Sequence, residues 1–217
     1  MKGSGNAEVA VLGAGPAGAV AARLLAEWGH RVVLLHRTAA RPGIAESLPP
    51  SLGKLLAVVG AGPAVEAAGF YRSRGNTVWW EGDHPRVEPF AAGAQGYQVL
   101  RPHLDTLLQS LAHGAGAELW QHVLVRAAHP AVGAGARGLV EYQSPSGTGA
   151  LEVDWILDAT GRTALVSRAL GFRQPEPGQR TLAVIGVWHS ATGWPLPDET
   201  HTLVEAYAQG WAWSVPL

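Results

Sequence analysis

The chain contains no cysteine, which excludes disulfide staples, thiolate nucleophiles and most zinc sites at once. Lysine is almost missing as well, since Lys2 and Lys54 are the only two. With 16 basic against 17 acidic residues the formal net charge is −1. No basic field exists to hold a phosphate backbone, so nucleic acid is not an expected partner. No apolar run approaches the roughly 20 residues needed to span a bilayer, and glycines interrupt the N-terminus where a signal peptide would carry its apolar core. A cytoplasmic protein with no membrane partner is the expectation. None of the nine histidines forms an HExxH pair, and no metal is expected. What is present is bulk: 217 residues, 47% of them hydrophobic, enough for one large domain or one domain with part of a second.

The first unit is "EVAVLGAGPAGAVAARLLAEWGHRVVLLHR". It predicts an apolar strand (Val9 to Leu12), a glycine turn, a helix with Ala17, Val20, Ala21, Leu24 and Leu25 on its apolar face, and a second apolar strand from Arg31 to His36. Both strands are continuous hydrophobic runs, as a parallel sheet covered on both faces requires. "ESLPPSLGKLLAVVG" reads as a loop and a helix begun by Pro49 and Pro50, and "TVWWEGD" as a strand of a different sheet. "RPHLDTLLQSLAHGAGAELWQHVLV" predicts a helix with Leu104, Leu107, Leu108 and Leu111 on one face, then one strand from Glu118 to Val125. An alternating strand near Leu139 to Tyr142 precedes "LEVDWILDATGR", read as an apolar strand ending at Asp158. The tail from Arg180 reads as three consecutive strands in a meander. The fold class is therefore α/β: a Rossmann-like domain with a parallel sheet, plus a partial antiparallel β-sheet domain. The expected boundaries are 1–75 with 100–175 for the first and 76–99 with 176–217 for the second.

"GAGPAG" (Gly13 to Gly18) has the GxGxxG form, a weak signal alone. Its context strengthens it, because it follows a buried strand and opens a helix. Gly13 can make the turn, Gly15 can let backbone amides approach a pyrophosphate, and Gly18 can let helix and strand pack closely. "GAGPAVEAAG" at Gly60 repeats the opening letters, but Val65 replaces the third glycine and a helical stretch precedes it, so a structural turn is the better reading. Gly53 and Lys54 do not make a P-loop, because Leu48 stands in place of its first glycine. Where an acidic residue normally meets the ribose hydroxyls stand His36 and Arg37. They could bond a hydroxyl, favour a ribose phosphate, or contribute little.

Taken in order, "GAGPAG", "AESLPP", "RPHLDTLL", "DATGR" and "GWAWSVP" resemble the FAD-dependent monooxygenase and flavin-dependent halogenase superfamily over nearly the whole chain. The resemblance implies FAD as the dinucleotide, with Gly13, Ala14, Gly15, Pro16, Ala17 and Gly18 at its pyrophosphate. It places His36 and Arg37 at the adenosine ribose, Arg101 at the cofactor from the start of its helix, and backbone groups near Val125 at the adenine. Asp158 and Gly161 match the second FAD fingerprint. Glu46 and Ser47 either contact the flavin region or cap a helix. Ala45 replaces the glycine of that stretch, which would strain the loop if the position required positive φ. "GWAWSVP" is similar to the WxWxIP element of the halogenases, so Trp211 and Trp213 either wall a substrate or flavin site or pack in a sheet.

The resemblance further implies a monooxygenase that acts through a flavin hydroperoxide on an aromatic or apolar substrate, either a small molecule or a side chain of a partner protein. NAD(P)H or a separate flavin reductase would supply electrons. A halogenase is the alternative, disfavoured because those enzymes use a lysine near the substrate and none stands in the expected segment beyond "AESLPP". A noncatalytic nucleotide-binding module that docks another protein is a third reading. The resemblance also implies an N-terminal portion or shortened form, whose last strand leaves an edge for a partner chain or a missing C-terminal portion. No catalytic acid or base is singled out, since the cofactor carries the difficult chemistry.

Overall fold

The structure is a computed structural model that describes residues 7–38, 44–82, 84–174, 176, 178 and 182–217. Strand β1 (Val9–Leu12) turns at glycine into helix α1 (Pro16–Glu27) and is followed by β2 (Val32–His36). Next come β3 (Ala45–Leu48), the short helices α2 (Leu52–Val58) and α3 (Gly62–Ala67), and strands β4 (Tyr71–Ser73), β5 (Gly75–Trp79), β6 (Arg86–Pro89) and β7 (Gly96–Leu100). Helix α4 (Arg101–Gly114) leads to β8 (Glu118–Gln121), β9 (Leu124–His129), β10 (Gly138–Ser144), β11 (Gly147–Val153) and β12 (Trp155–Asp158). After a single 3-10 turn (Gly161–Thr163) come α5 (Leu165–Ala169), β13 (His201–Tyr207) and β14 (Gly210–Ser214).

The chain divides into two compact units, residues 1–41 with 105–182 and residues 42–104 with 183–217. This division places residues 42–75 in the second unit, whereas the sequence reading groups them with the first.

In the first unit a parallel sheet has the order β12-β1-β2-β8, with Leu12 in register between Asp158 and Leu35. β1 is buried at every position and β2 at all but His36, which is why both read as unbroken apolar runs. Helix α1 lies against β1 and β2. Its buried positions are Gly18, Ala19 and Ala22, while Ala17 is exposed and Val20, Ala21, Leu24 and Leu25 are half-buried. The seam is thus made by the smallest side chains, which let the helix axis approach the sheet, rather than by the leucines. Pro16 opens the helix where its missing N–H costs nothing. An antiparallel sheet, order β11-β10-β9, shares a core with the parallel sheet: Ala10, Leu12, Val33 and Leu35 join Ala128, Val140, Leu151 and Val153. Trp120 meets Tyr142 edge-on there, ring centroids 5.4 Å apart.

Two expected strands are each divided. Glu118 to Val125 is broken at His122, whose φ of 58° turns the chain out of the parallel sheet, where β8 pairs with β2, into the antiparallel one, where β9 pairs with β10. "LEVDWILD" is broken at Asp154, whose amide bonds to the Glu8 carbonyl at 2.9 Å, so that β11 and β12 serve different sheets. A continuous apolar run hides a change of partner, because both halves are buried by the same core.

The second unit holds a sheet of order β14-β13-β5-β6 and another of order β3-β7-β4. The expected three-strand meander is a two-strand hairpin of β13 and β14, and β13 runs parallel to β5. Residues 182–189 form no strand, and Leu182, Val184 and Trp188 are exposed. "AESL" is also a strand, paired antiparallel with β7 from Ala45↔Leu100 to Leu48↔Tyr97, where a loop was expected. No helix among the described residues is long and apolar enough to cross a membrane.

Candidate functional site

The loop after β1 is built around two glycines that tolerate no substitute. Gly13 has φ of +101°, and a Cβ there would come within 2.5 Å of the Ala159 carbonyl oxygen. A Cβ on Gly18 would stand 1.8 Å from the Gly13 carbonyl oxygen and 3.1 Å from Cβ of Ala159. The "GAGPAG" and "DATGR" turns therefore interlock, because β1 and β12 are neighbouring parallel strands that end level with one another. The Gly13 amide donates to the Leu35 carbonyl at 2.9 Å, and the Gly15 carbonyl accepts from Ala19 at 2.9 Å. No side chain caps the first turn of α1. A helix that opens with uncapped amides at the carboxyl end of a parallel sheet suits a diphosphate. The residues present fit the pyrophosphate of a dinucleotide, because the glycine cradle is one that a Cβ would fill.

Asp158 closes the second turn. One carboxylate oxygen accepts the Thr160 amide at 3.1 Å and the Thr160 hydroxyl at 2.6 Å, and the other accepts the amides of Val166 at 2.9 Å and Ser167 at 3.3 Å. Burial pushes this carboxyl up, but the hydroxyl and amide of Thr160 and the amides of Ser167 and Val166 outweigh it and hold it below the usual carboxylate range. With both oxygens engaged, Asp158 shapes the turn that carries Gly161 (φ +61°). His36 ends β2 half-buried, its carbonyl accepting the Val123 amide at 3.0 Å, and Arg37 beside it is exposed. Val125 lies on β9, opposite Tyr142 of β10. β9 is the outer strand of its sheet, so one edge of its backbone has no strand partner among the described residues.

The remaining candidates lie in the second unit. Arg101 donates to the Glu46 carboxylate at 2.8 Å, and its amide donates to the Ile44 carbonyl at 2.8 Å. Glu46 and Ser47 are strand residues of β3, so the helix-capping alternative is set aside. Ala45 is not among the described non-glycine residues with positive φ, so the exchange for glycine carries no strain. The Ser47 hydroxyl bonds to Oε1 of Gln98, whose Nε2 donates to the Thr202 hydroxyl at 2.7 Å. Gln98 is 1% exposed, and this chain of bonds joins β3, β7 and β13 through a buried interior.

Ser47 and Thr202 also line an open groove of about 350 Å³, with Asn76, Val78, Val204, Trp211 and Trp213. Alternation along β5, β13 and β14 puts Asn76, Val78, Thr202, Val204 and both tryptophans on one face. Trp211 is 57% and Trp213 49% exposed, and the Trp211 ring centroid lies 6.4 Å from that of Trp80. These tryptophans face an opening rather than fill a core.

The candidates fall into two clusters, one in each unit. Sequence reasoning missed three polar residues. Gln98 and Thr202 sit in strands that read as ordinary alternation. Gln109 donates from α4 to the Ala14 carbonyl at 2.8 Å, and only its place beside the leucine stripe of that helix marked it.

Comparison with known proteins supports the dinucleotide and specifies it. An FAD-binding-domain family model matches residues 6–212. Among curated relatives, the tryptophan 2-halogenase of Chondromyces crocatus is 29% identical over 218 residues, covering 98% of this chain and 41% of that protein. The myxobacterial chondrochloren halogenase CndH superposes with a TM-score of 0.75 at 27% identity, covering 97% of this chain and 50% of that one. Aklavinone-11 hydroxylase, solved with FAD and aklavinone, shares the fold at a TM-score of 0.64 and 21% identity, covering 76% of this chain and 35% of that one. The chain spans less than half the length of the curated relatives it matches. With an interlocked glycine cradle at the head of a Rossmann-like sheet and a family model matched over almost its full length, this chain belongs to the FAD-binding-domain family.

Proposed function

We propose that this chain holds the adenosine and pyrophosphate portion of FAD in a flavin-dependent enzyme of the halogenase type. The carrying observation is the cradle formed by Gly13, Gly18 and Ala159 around the uncapped start of α1. Gly13, Ala14, Gly15, Pro16, Ala17 and Gly18 would hold the pyrophosphate and His36 with Arg37 the ribose. The β9 backbone near Val125 would meet the adenine, with Asp158 shaping the turn at Gly161. By the resemblance, Arg101, which pairs with Glu46, and Ser47 are further candidates for cofactor contact. Bound FAD supplies the activation of dioxygen that both halogenation and oxygenation require. The protein orients the substrate, and the groove walled by Trp211 and Trp213 suits an aromatic or apolar one, small molecule or protein side chain. Electrons would come from NAD(P)H or a flavin reductase, and the edge of β14 that has no partner among the described residues would accept further strand from the remainder of such an enzyme or from a partner chain.

The named relatives support halogenation more than the oxygenation expected from sequence. One observation favours oxygenation: of the two lysines, Lys54 is exposed on α2 and Lys2 lies outside the described residues, so no lysine of the described residues lines the groove. The purified chain should be yellow, with FAD approaching one per chain by absorbance, and a colourless chain that takes up no added FAD overturns the proposal. Mass spectrometry of products formed with and without halide separates the two chemistries.

A further inference from the structure

The glycine loop has a weakness that its own residues do not correct. The peptide joining Ala14 to Gly15 is planar and trans, so its carbonyl and its N–H point in opposite directions. Rotation of this plane needs only ψ of Ala14 and φ of Gly15, and glycine accepts nearly any φ. Nothing local therefore prevents the plane from flipping, which would aim the Ala14 oxygen, instead of the Gly15 amide, at an anion. The lock comes from 95 residues away in sequence. Nε2 of Gln109 donates to the Ala14 carbonyl at 2.8 Å, both residues being buried at 8% and 1% exposure. Holding that oxygen inward holds the Gly15 N–H outward.

We propose that Gln109 is a positioning residue for the FAD pyrophosphate, acting by locking the Ala14–Gly15 peptide in the orientation that presents the Gly15 amide. This rests on the FAD assignment above. A purely apolar side chain would leave a buried carbonyl without a donor, and the flipped plane would relieve that deficit. A carboxylate at the same place would face the carbonyl oxygen with like charge.

The test uses the whole chain carrying Gln109→Met, which keeps length and flexibility, and Gln109→Glu, which keeps shape. FAD, ADP and adenosine are titrated by calorimetry, and the Gly15 amide is followed by nitrogen-15 NMR. In the wild type, ADP should shift the Gly15 amide downfield. In both variants FAD and ADP should bind roughly tenfold more weakly while adenosine binding is unchanged, a pattern that general loss of stability would not produce. The Glu variant should be the weaker. If the wild type binds ADP without moving the Gly15 amide, or the variants bind ADP as well as the wild type does, the positioning role is overturned while the FAD site stands. If the wild type binds neither FAD nor ADP, the FAD assignment itself fails and takes this role with it. The Gly15 measurement on the wild type does not depend on either variant folding.

Discussion

At Gly18 a single hydrogen in place of a methyl group decides whether two turns can touch. The Gly13 carbonyl occupies the space a Cβ would need, and that carbonyl belongs to backbone that Leu35 also holds. Gly18→Ala should therefore cost about 1–3 kcal/mol of stability and abolish FAD uptake, measured by denaturant unfolding and flavin titration. Asp158 provides a second test with a pH signature. Asp158→Asn keeps the shape but weakens bonds made to a carboxylate, at a cost of about 1–2 kcal/mol at neutral pH. Because the native carboxyl ionises below its unfolded range, its stabilisation is complete above about pH 4 and disappears as pH falls through the lowered native value. The gap in Tm between wild type and Asp158→Asn should be constant from pH 7 to 5 and close at lower pH. A gap that persists in acid would show that the charge contributes nothing.

The elements show where local pattern yields to tertiary demand. Residues 118–125 carry one apolar run, yet His122 sits at φ 58° so that β8 and β9 can serve different sheets. Such a conformation disfavours a β-branched side chain, so His122→Val should destabilise the first unit by about 1–2 kcal/mol. His122→Gly should be close to neutral; thermal unfolding of the two distinguishes this from a general effect of losing the imidazole. Residues 182–189 make the opposite point. Their composition favours a strand, but a strand needs a partner, and none among the described residues pairs with them. β-Propensity measures fit to a neighbour more than an intrinsic backbone preference.

Across the molecule, the second unit presents an outer strand bearing half-exposed tryptophans. Among the described residues β14 pairs only with β13, and Trp211 and Trp213 stand beside that edge. Such an edge is a template for another strand, so the 217-residue chain should self-associate as concentration rises. Sedimentation velocity should show the association, and Trp213→Lys should suppress it without lowering FAD affinity. Equal association by the variant would move the contact elsewhere.

The amino-acid sequence by itself determined the βαβ opening and its glycine turn, because short-range sterics and unbroken apolar runs depend on residues a few positions apart, and the order of its motifs carried the resemblance to the family. It also proposed most of the candidate site, Gly13 to Gly18 from a glycine pattern set between strand and helix and Asp158 and Gly161 from the family resemblance. Only the tertiary structure decided that "GAGPAG" and "DATGR" interlock and that Arg101 pairs with Glu46. It alone placed Trp211 and Trp213 at a groove and gave Gln109 the Ala14 carbonyl. Each of those facts is a contact between residues far apart along the chain. Periodicity records which face of an element is buried, and it carries no record of what lies opposite.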